Sequence, residues 1–455
     1  MTTATVTPTV AARARSGFTW GLFVLIWLLP FHAVVVAGLF GGLGIPGPVV
    51  RLIAAWKEVL VALLVTALLV RVMLGRGDHS PVHWLDVAVS GLGLLALAYL
   101  VSAGIWFRLD VPVGARVYGL RDAVYFPLLY FVGRATPDVV RDERVLKALF
   151  LVGVITSAVA VLERIFVTPE ILVLLGVAAY FQDFLGAALW SVGNPYGLPA
   201  NYWSMFGNTM VQRAGSTYLS SQGFALSFLI IIPAATAWLC ARKRPAVAWV
   251  GYGIVWLGLL LSVTRMTIVV CALQALAIAT TRRRWGLITA GGAVCAVAFG
   301  CALLIVPELA TFLWETLTWQ TGSSVSHVGD WLQGMENALR YPIGAGLGVA
   351  DQAAVRFGLD PLAGDNQYLT YAVELGVLGL GLHLATIVGA GLTGVKRARD
   401  RQAVRSDYGL VVAAAAAGIL LNAVTAVPFN SILLTCVFFW LLGSLVTPAG
   451  LKDRS

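Results

Sequence analysis

Residues 222–284 read QGFALSFLIIIPAATAWLCARKRPAVAWVGYGIVWLGLLLSVTRMTIVVCALQALAIATTRRR. Three apolar runs, near 222–240, 245–263 and 264–281, are separated first by Arg242-Lys243-Arg244 and then by Ser262-Val263-Thr264-Arg265, and they close on Arg282-Arg283-Arg284. Each run is long enough to cross ~30 Å of hydrocarbon as a helix. Strongly basic turns alternating with a nearly neutral one are the pattern of a chain crossing a bilayer back and forth, with its Lys and Arg collected on one side. The same pattern extends in both directions. Further runs lie near 17–40, 52–73, 84–106, 117–133, 145–166, 285–306, 368–394, 407–427 and 430–447, so the reading is an all-α polytopic membrane protein of about twelve transmembrane helices. The first run is too long, and too poor in a small-residue cleavage site, to be a removed signal peptide.

Composition agrees: 59% of residues are apolar, 12% are charged, and the mean hydropathy is +0.85, outside the range of soluble domains. Placing the N-terminus in the cytoplasm puts 21 of the 31 basic residues in cytoplasmic turns and tails, and an even helix count returns the C-terminus to the same side. The net charge of +9 is then explained by topology and anionic lipid headgroups, and a nucleic-acid partner is unnecessary. Cys240, Cys271, Cys295, Cys301 and Cys436 lie in or at the ends of apolar runs, which gives no support to a disulfide framework or a cysteine metal site. We treat residues 1–455 as one membrane domain.

Two outer loops, 168–221 and 307–367, are far longer than a connection needs and hold the polar residues from which a site can be built. In the first, Ile171 to Trp190 is apolar but interrupted by Gln182 and Asp183, which suits an interfacial helix or lid. The aromatics Tyr196, Tyr202 and Trp203 suit either sugar stacking or interfacial anchoring. Arg213 precedes Ala-Gly-Ser216-Thr-Tyr218 and a helix N-terminus, a set of donors that fits phosphate oxygens. Arg265 stands at a tight outer turn with no acid near it in sequence, and a guanidinium at a bilayer edge is costly unless an anion offsets it. Arg164 beside Glu163 suits local polar contacts, and Lys57 and Glu58 suit mutual neutralisation.

In the second loop Val328, Trp331, Met335 and Leu339 recur at helical spacing, ended by Tyr341-Pro342 and the glycines Gly344, Gly346 and Gly348. Those glycines permit close backbone approach to an anion. His327, near the start of this helix, is a candidate base or phosphate donor. Asp365-Asn366 reads as a helix N-cap, and Asp365 is also a candidate base for a sugar hydroxyl. Glu374 lies inside an apolar helix and needs a partner or water.

Taken in order, the Arg213-Ala-Gly-Ser-Thr segment, the Ser262-Val-Thr-Arg265 turn, the Ser326-His327 to Pro342-Ile-Gly-Ala-Gly-Leu-Gly348 loop and the stretch from Asp365-Asn366 to Glu374-Leu-Gly-Val-Leu-Gly379 resemble the O-antigen ligase and O-antigen polymerase superfamily. These are bacterial membrane glycosyltransferases that use undecaprenyl-diphosphate-linked glycans. The motifs cover roughly residues 205–385. The resemblance implies a GT-C-like fold in the bacterial cytoplasmic membrane, with short helices in the large outer loop between helices nine and ten. It implies metal-independent, cofactor-free transfer of a glycan from a lipid diphosphate to a hydroxyl on the outer face. Carried over, Arg213 and Arg265 hold the diphosphate, helped by Ser216, Tyr218, Gly344, Gly346 and Asn366, while His327, Asp365 and Arg265 act catalytically. Partners implied are the lipid-linked glycan, membrane lipids, and a chain-length regulator or other polysaccharide assembly proteins. Ligases of this group usually have histidine where Asp365 stands, so the polymerase branch is the closer likeness. A ligase remains the alternative, and a lipid-linked oligosaccharide transporter the alternative of another class.

Overall fold

The computed structural model describes residues 10–75, 81–106, 110–186, 196–199, 202–206, 209–305, 310–311, 314–315, 318, 320, 322–400 and 402–448. Its principal helices are α1 (Gly17–Gly42), α2 (Gly47–Met73), α3 (Trp84–Trp106), α4 (Val113–Leu120), α5 (Leu129–Arg134), α6 (Arg144–Phe166), α7 (Pro169–Leu174), α8 (Ser221–Ala241), α9 (Ala246–Leu261), α10 (Arg265–Thr281), α11 (Trp285–Ile305), α12 (Gly322–Arg340), α13 (Asp351–Arg356), α14 (Gln367–Arg397), α15 (Ala403–Asn422) and α16 (Ile432–Val446). Among the described residues, α1, α2, α3, α6, α8, α14 and α15 are long and apolar enough to cross a membrane, and α9, α10 and α16 are shorter apolar helices. Helices form here because hydrocarbon offers no partner to a backbone N–H or C=O, so each segment must satisfy its own.

Helix α8 is the axis of the bundle. It is apolar on every side and buried along nearly its whole length against α6, α10, α15 and α16. Helices α5 and α16 meet backbone to backbone: a Cβ on Gly133 would lie 2.1 Å from the Trp440 carbonyl oxygen, and one on Gly443 would lie 2.0 Å from that of Tyr130. Small residues permit such approach where no water drives helices together. The basic turns are paired with acids, Arg134 with Asp86 at 3.0 Å, Arg244 with Glu143 at 2.7 Å, Arg405 with Asp400 at 3.1 Å, and Arg282 with Asp407.

Three departures from the sequence expectation lie at the opposite end of the bundle. The run 117–133 is not one helix: α4 passes into a π-helical turn, Arg121–Tyr125, before Pro127 interrupts the ladder and α5 resumes. The apolar stretch after Ile171 is broken at Gly176 (φ +83°), which lies against Gly41 so closely that a Cβ would meet the Gly41 carbonyl carbon at 2.3 Å. It continues as a π-helical turn, Tyr180–Phe184, packed on α1 and α2, while 187–195 fall outside the described residues. The first outer loop also holds an antiparallel hairpin, β1 (Trp203–Phe206) and β2 (Thr209–Gln212), with Trp203 opposite Gln212, so the all-α expectation is corrected by one small sheet.

Candidate functional site

Arg213 follows β2 and is set by its own backbone, whose N–H donates to the Tyr202 carbonyl at 2.7 Å. Its guanidinium crosses to the α9–α10 turn, Nε donating to the Ser262 carbonyl at 2.9 Å and Nη2 to Thr264 Oγ1 at 2.8 Å. Arg265 opens α10 beside it. Burial, and after it the charge of Arg265, push Arg213 down to about 10, which places the two guanidiniums within each other's field. Like charges held together this way are stabilised by a polyanion.

The hydroxyls after Arg213 do a different task from the one expected. Glu163 of α6 accepts from the Gly215 N–H at 3.2 Å and the Ser216 N–H at 2.6 Å, and Ser216 Oγ donates to the Thr156 carbonyl at 2.6 Å. Ser216 is buried at φ +50° and latches the Arg213 segment to α6. Arg164 donates to Gln212 Oε1 at 3.2 Å, the local contact anticipated for it. Buried Tyr202 donates its hydroxyl to the Leu219 carbonyl at 2.9 Å, and Tyr196 stacks on Trp203, so these aromatics hold the loop together.

The glycine loop is also structural. Helix α14 is interrupted at Gly376 (φ 70°, ψ −171°), and the loop inserts there: Ala345 N–H donates to the Val373 carbonyl at 2.6 Å, Gly346 N–H to the Glu374 carbonyl at 3.1 Å, and Val377 N–H to the Pro342 carbonyl at 3.0 Å. Glu374 has a partner after all, since its Oε1 accepts from the Gly348 N–H at 2.8 Å. The positions assigned to substrate at Gly344 and Gly346 therefore close the helix break, and the contacts of this loop run to α14 and α4 and not to the Arg213–Arg265 pair. Asn366 caps α14, its Oδ1 accepting from the Leu369 N–H and its Nδ2 donating to the Val424 carbonyl, each at 3.0 Å. His327 and Asp365 are brought together. Burial holds the Asp365 carboxyl above the usual range, opposed by the His327 charge and by a hydrogen bond from Gln222, while Asp330 adds to the rise.

A cavity of about 370 Å³ lies at the end of the bundle that carries these loops. Tyr218, Ser220 and Gln222, on the segment running from Arg213 into α8, form one wall. Others are formed by Arg51, Lys57 and Glu58 of α2, Tyr118 and Arg121, Tyr180 and Phe184 of the π-helical turn, and Arg356 of α13. Arg121 lies 2.8 Å from Asp122 and 3.8 Å from Glu58; its guanidinium and that of Arg356 stand 3.8 Å and 5.0 Å from the Tyr118 ring centroid. Arg51 is 5.8 Å from that of Phe184. Cations over aromatic faces give a wall that accepts anions and sugar rings alike. Sequence reasoning missed Arg51, Tyr118, Arg121 and Arg356, although a charge inside an apolar run, as at Arg121-Asp122, was the signal to follow. His327, Asp365, Arg213 and Arg265 do not line the cavity; Asp365 reaches it through Gln222.

No family model matches the chain, and no curated protein matches it. The site therefore speaks through its own chemistry. Behind the cavity, Asp351 accepts from Asn430 Nδ2 at 2.7 Å, and Asn430 itself lines the wall. Burial, and then the neighbouring Asp365, push Asp351 up to about 7. One end of the bundle thus combines paired guanidiniums, a basic aromatic cavity, and amides held by carboxyls, a set that can hold an anion and the hydroxyls of a glycan together.

Proposed function

We propose that this chain is a membrane glycosyltransferase that extends a polysaccharide by moving a glycan from a lipid diphosphate to the hydroxyl of a second lipid-linked unit. In this reading the chain crosses the bacterial cytoplasmic membrane twelve times in a GT-C-like arrangement, with both termini cytoplasmic and the cavity on the outer face. The observation that carries it is the adjacency of Arg213 and Arg265 at the rim of the same bundle end as the basic aromatic cavity. The acceptor hydroxyl attacks the anomeric carbon, the bond from that carbon to the phosphate oxygen breaks, and the electron pair leaves with the diphosphate, whose charge the guanidiniums stabilise as it develops.

A second reading has one observation in its favour. The interruption of α14 at Gly376 is the kind of broken helix from which transporters build their sites. Purified protein given a lipid-diphosphate oligosaccharide separates the readings. Lengthened glycan supports the polymerase, transfer to a different acceptor makes the chain a ligase, and chemically unchanged substrate moved across a vesicle membrane makes it a transporter. Arg265→Ala is expected to lower transfer about a hundredfold or more while leaving membrane insertion intact; unaltered turnover would remove the diphosphate role.

A further inference from the structure

Glycan transfer from a diphosphate releases a proton from the acceptor hydroxyl, and a group in the cavity has to take it. His327 and Asp365 do not line the cavity, whereas Lys57 does. A lysine normally arrives as an ammonium, which has three hydrogens and no lone pair and so cannot serve as a base. The hydrogen bonds around His32 say otherwise for this one.

Trp56 Nε1 donates to His32 Nδ1 at 3.2 Å. An indole nitrogen is a donor only, so Nδ1 is the unprotonated nitrogen of the imidazole and the ring proton is on Nε2. His32 Nε2 lies 3.1 Å from Lys57 Nζ. With the proton fixed on Nε2, an ammonium at Nζ would place two donors head to head in a buried site, where an unmade hydrogen bond costs most. A neutral amine fits instead. Its lone pair accepts the Nε2–H, and its two hydrogens go to the Ala54 carbonyl at 3.0 Å and to Glu58 Oε1 at 3.2 Å. Three contacts match one acceptor and two donors with none left over. The expected Lys57–Glu58 pair is present in space, but as an amine donating to a carboxylate. Facing Nζ from the packed elements are His32 of α1, Glu58 of α2 itself, Arg121 of the π-helical turn and Cys436 of α16, with Arg121 at 3.8 Å from Glu58 Oε1.

We propose that Lys57 is held as a neutral amine in the resting protein and is the proton acceptor for the transfer reaction; this rests on the glycosyltransferase reading above. The acceptor O–H breaks as its oxygen bonds the anomeric carbon, the proton goes to Nζ, and the carbon–oxygen bond to phosphate breaks with its electron pair leaving on the diphosphate. The ammonium so formed is held by Glu58, whose Oε2 is buried without a hydrogen-bond partner and is available to it. The proton returns to water after the products leave.

The chain has five lysines, of which Lys147, Lys243 and Lys396 belong to the basic turns and Lys452 to the C-terminal tail. Full-length protein carrying 13C-lysine in detergent micelles therefore gives few resonances, with that of Lys57 identified by its loss in Lys57→Met. The side-chain carbon shifts report charge without any need for access. The expected result is an amine shift for Lys57 at neutral pH while the other lysines remain ammonium, and a return toward the ammonium shift in Trp56→Phe, which frees Nδ1 to carry the ring proton. An ammonium shift for Lys57 in the wild-type protein overturns the proposal. Lys57→Ala is expected to lose transfer about a hundredfold or more and to recover part of it with added methylamine. An amine shift with undiminished transfer by Lys57→Ala overturns the role in the reaction. Wild-type protein that transfers no glycan at all, with the amine shift in place, overturns the glycosyltransferase reading and leaves the charge state standing.

Discussion

Glu163 decides where Arg213 is found, though no charge contact joins them. Its carboxylate binds the Gly215 and Ser216 N–H groups, which would otherwise be buried without partners. Glu163→Ala leaves both orphaned, at roughly 1–3 kcal/mol each; thermal unfolding in detergent should show a loss of that order, and Glu163→Gln, which keeps one acceptor oxygen, a smaller one. This is also why the Ser216 hydroxyl misleads in sequence. Donors beside an arginine look alike whether they face a ligand or the helix behind them, and only packing against Thr156 distinguishes the cases. Asp351 gives the pH dependence. Its carboxyl is raised to about 7, so the folded state holds a proton that the unfolded state has released, and stability falls as pH rises from about 4 to about 7. Asp351→Asn should flatten the melting temperature over that window; an unchanged slope would assign it to other groups.

At the level of elements, the break in α14 organises the second outer loop. Gly376 occupies backbone space that only glycine adopts without strain, and a Cβ there would lie 2.4 Å from the Ile343 carbonyl carbon. Gly376→Ala is expected to cost at least ~1–3 kcal/mol from backbone strain alone and to displace the loop at 342–348. Gly381, one turn further along, has nothing within 4 Å of an added Cβ, so Gly381→Ala should be neutral or gain up to ~1 kcal/mol of helix propensity. Paired unfolding measurements on the two variants check this, and equal effects would mean that the break is not held by the loop. The helix itself was legible, because its apolar run and its Asn366 cap are local signals. The break was not, since Glu374 and Gly376 acquire their meaning from residues about thirty positions earlier. The α12 spacing was likewise legible, but the side it buries was not: Gly334 packs toward Leu369, while Val328, Met335 and Leu339 face outward.

Over the whole molecule, the division of charge visible in the sequence corresponds to two differently built ends. At the end with the basic turns, arginines are neutralised by Asp86, Glu143, Asp400 and Asp407, so they fix helices. At the other end Arg51, Arg121 and Arg356 border an open cavity with aromatic rings, so they remain able to meet an anion. The bilayer assigns sides to these ends, because short loops rich in Lys and Arg resist translocation. Single cysteines test that assignment against a quiet background, as Cys240, Cys271 and Cys436 are buried. Lys243 is exposed in a basic turn and Asp360 is exposed beside the cavity end. A membrane-impermeant maleimide applied to intact cells should label Asp360→Cys at once and Lys243→Cys only after permeabilisation. The reverse pattern would turn the cavity toward the cytosol, where a glycan assembled on its lipid carrier has not yet been exported, and polymerisation on the outer face would no longer be a tenable use of the site.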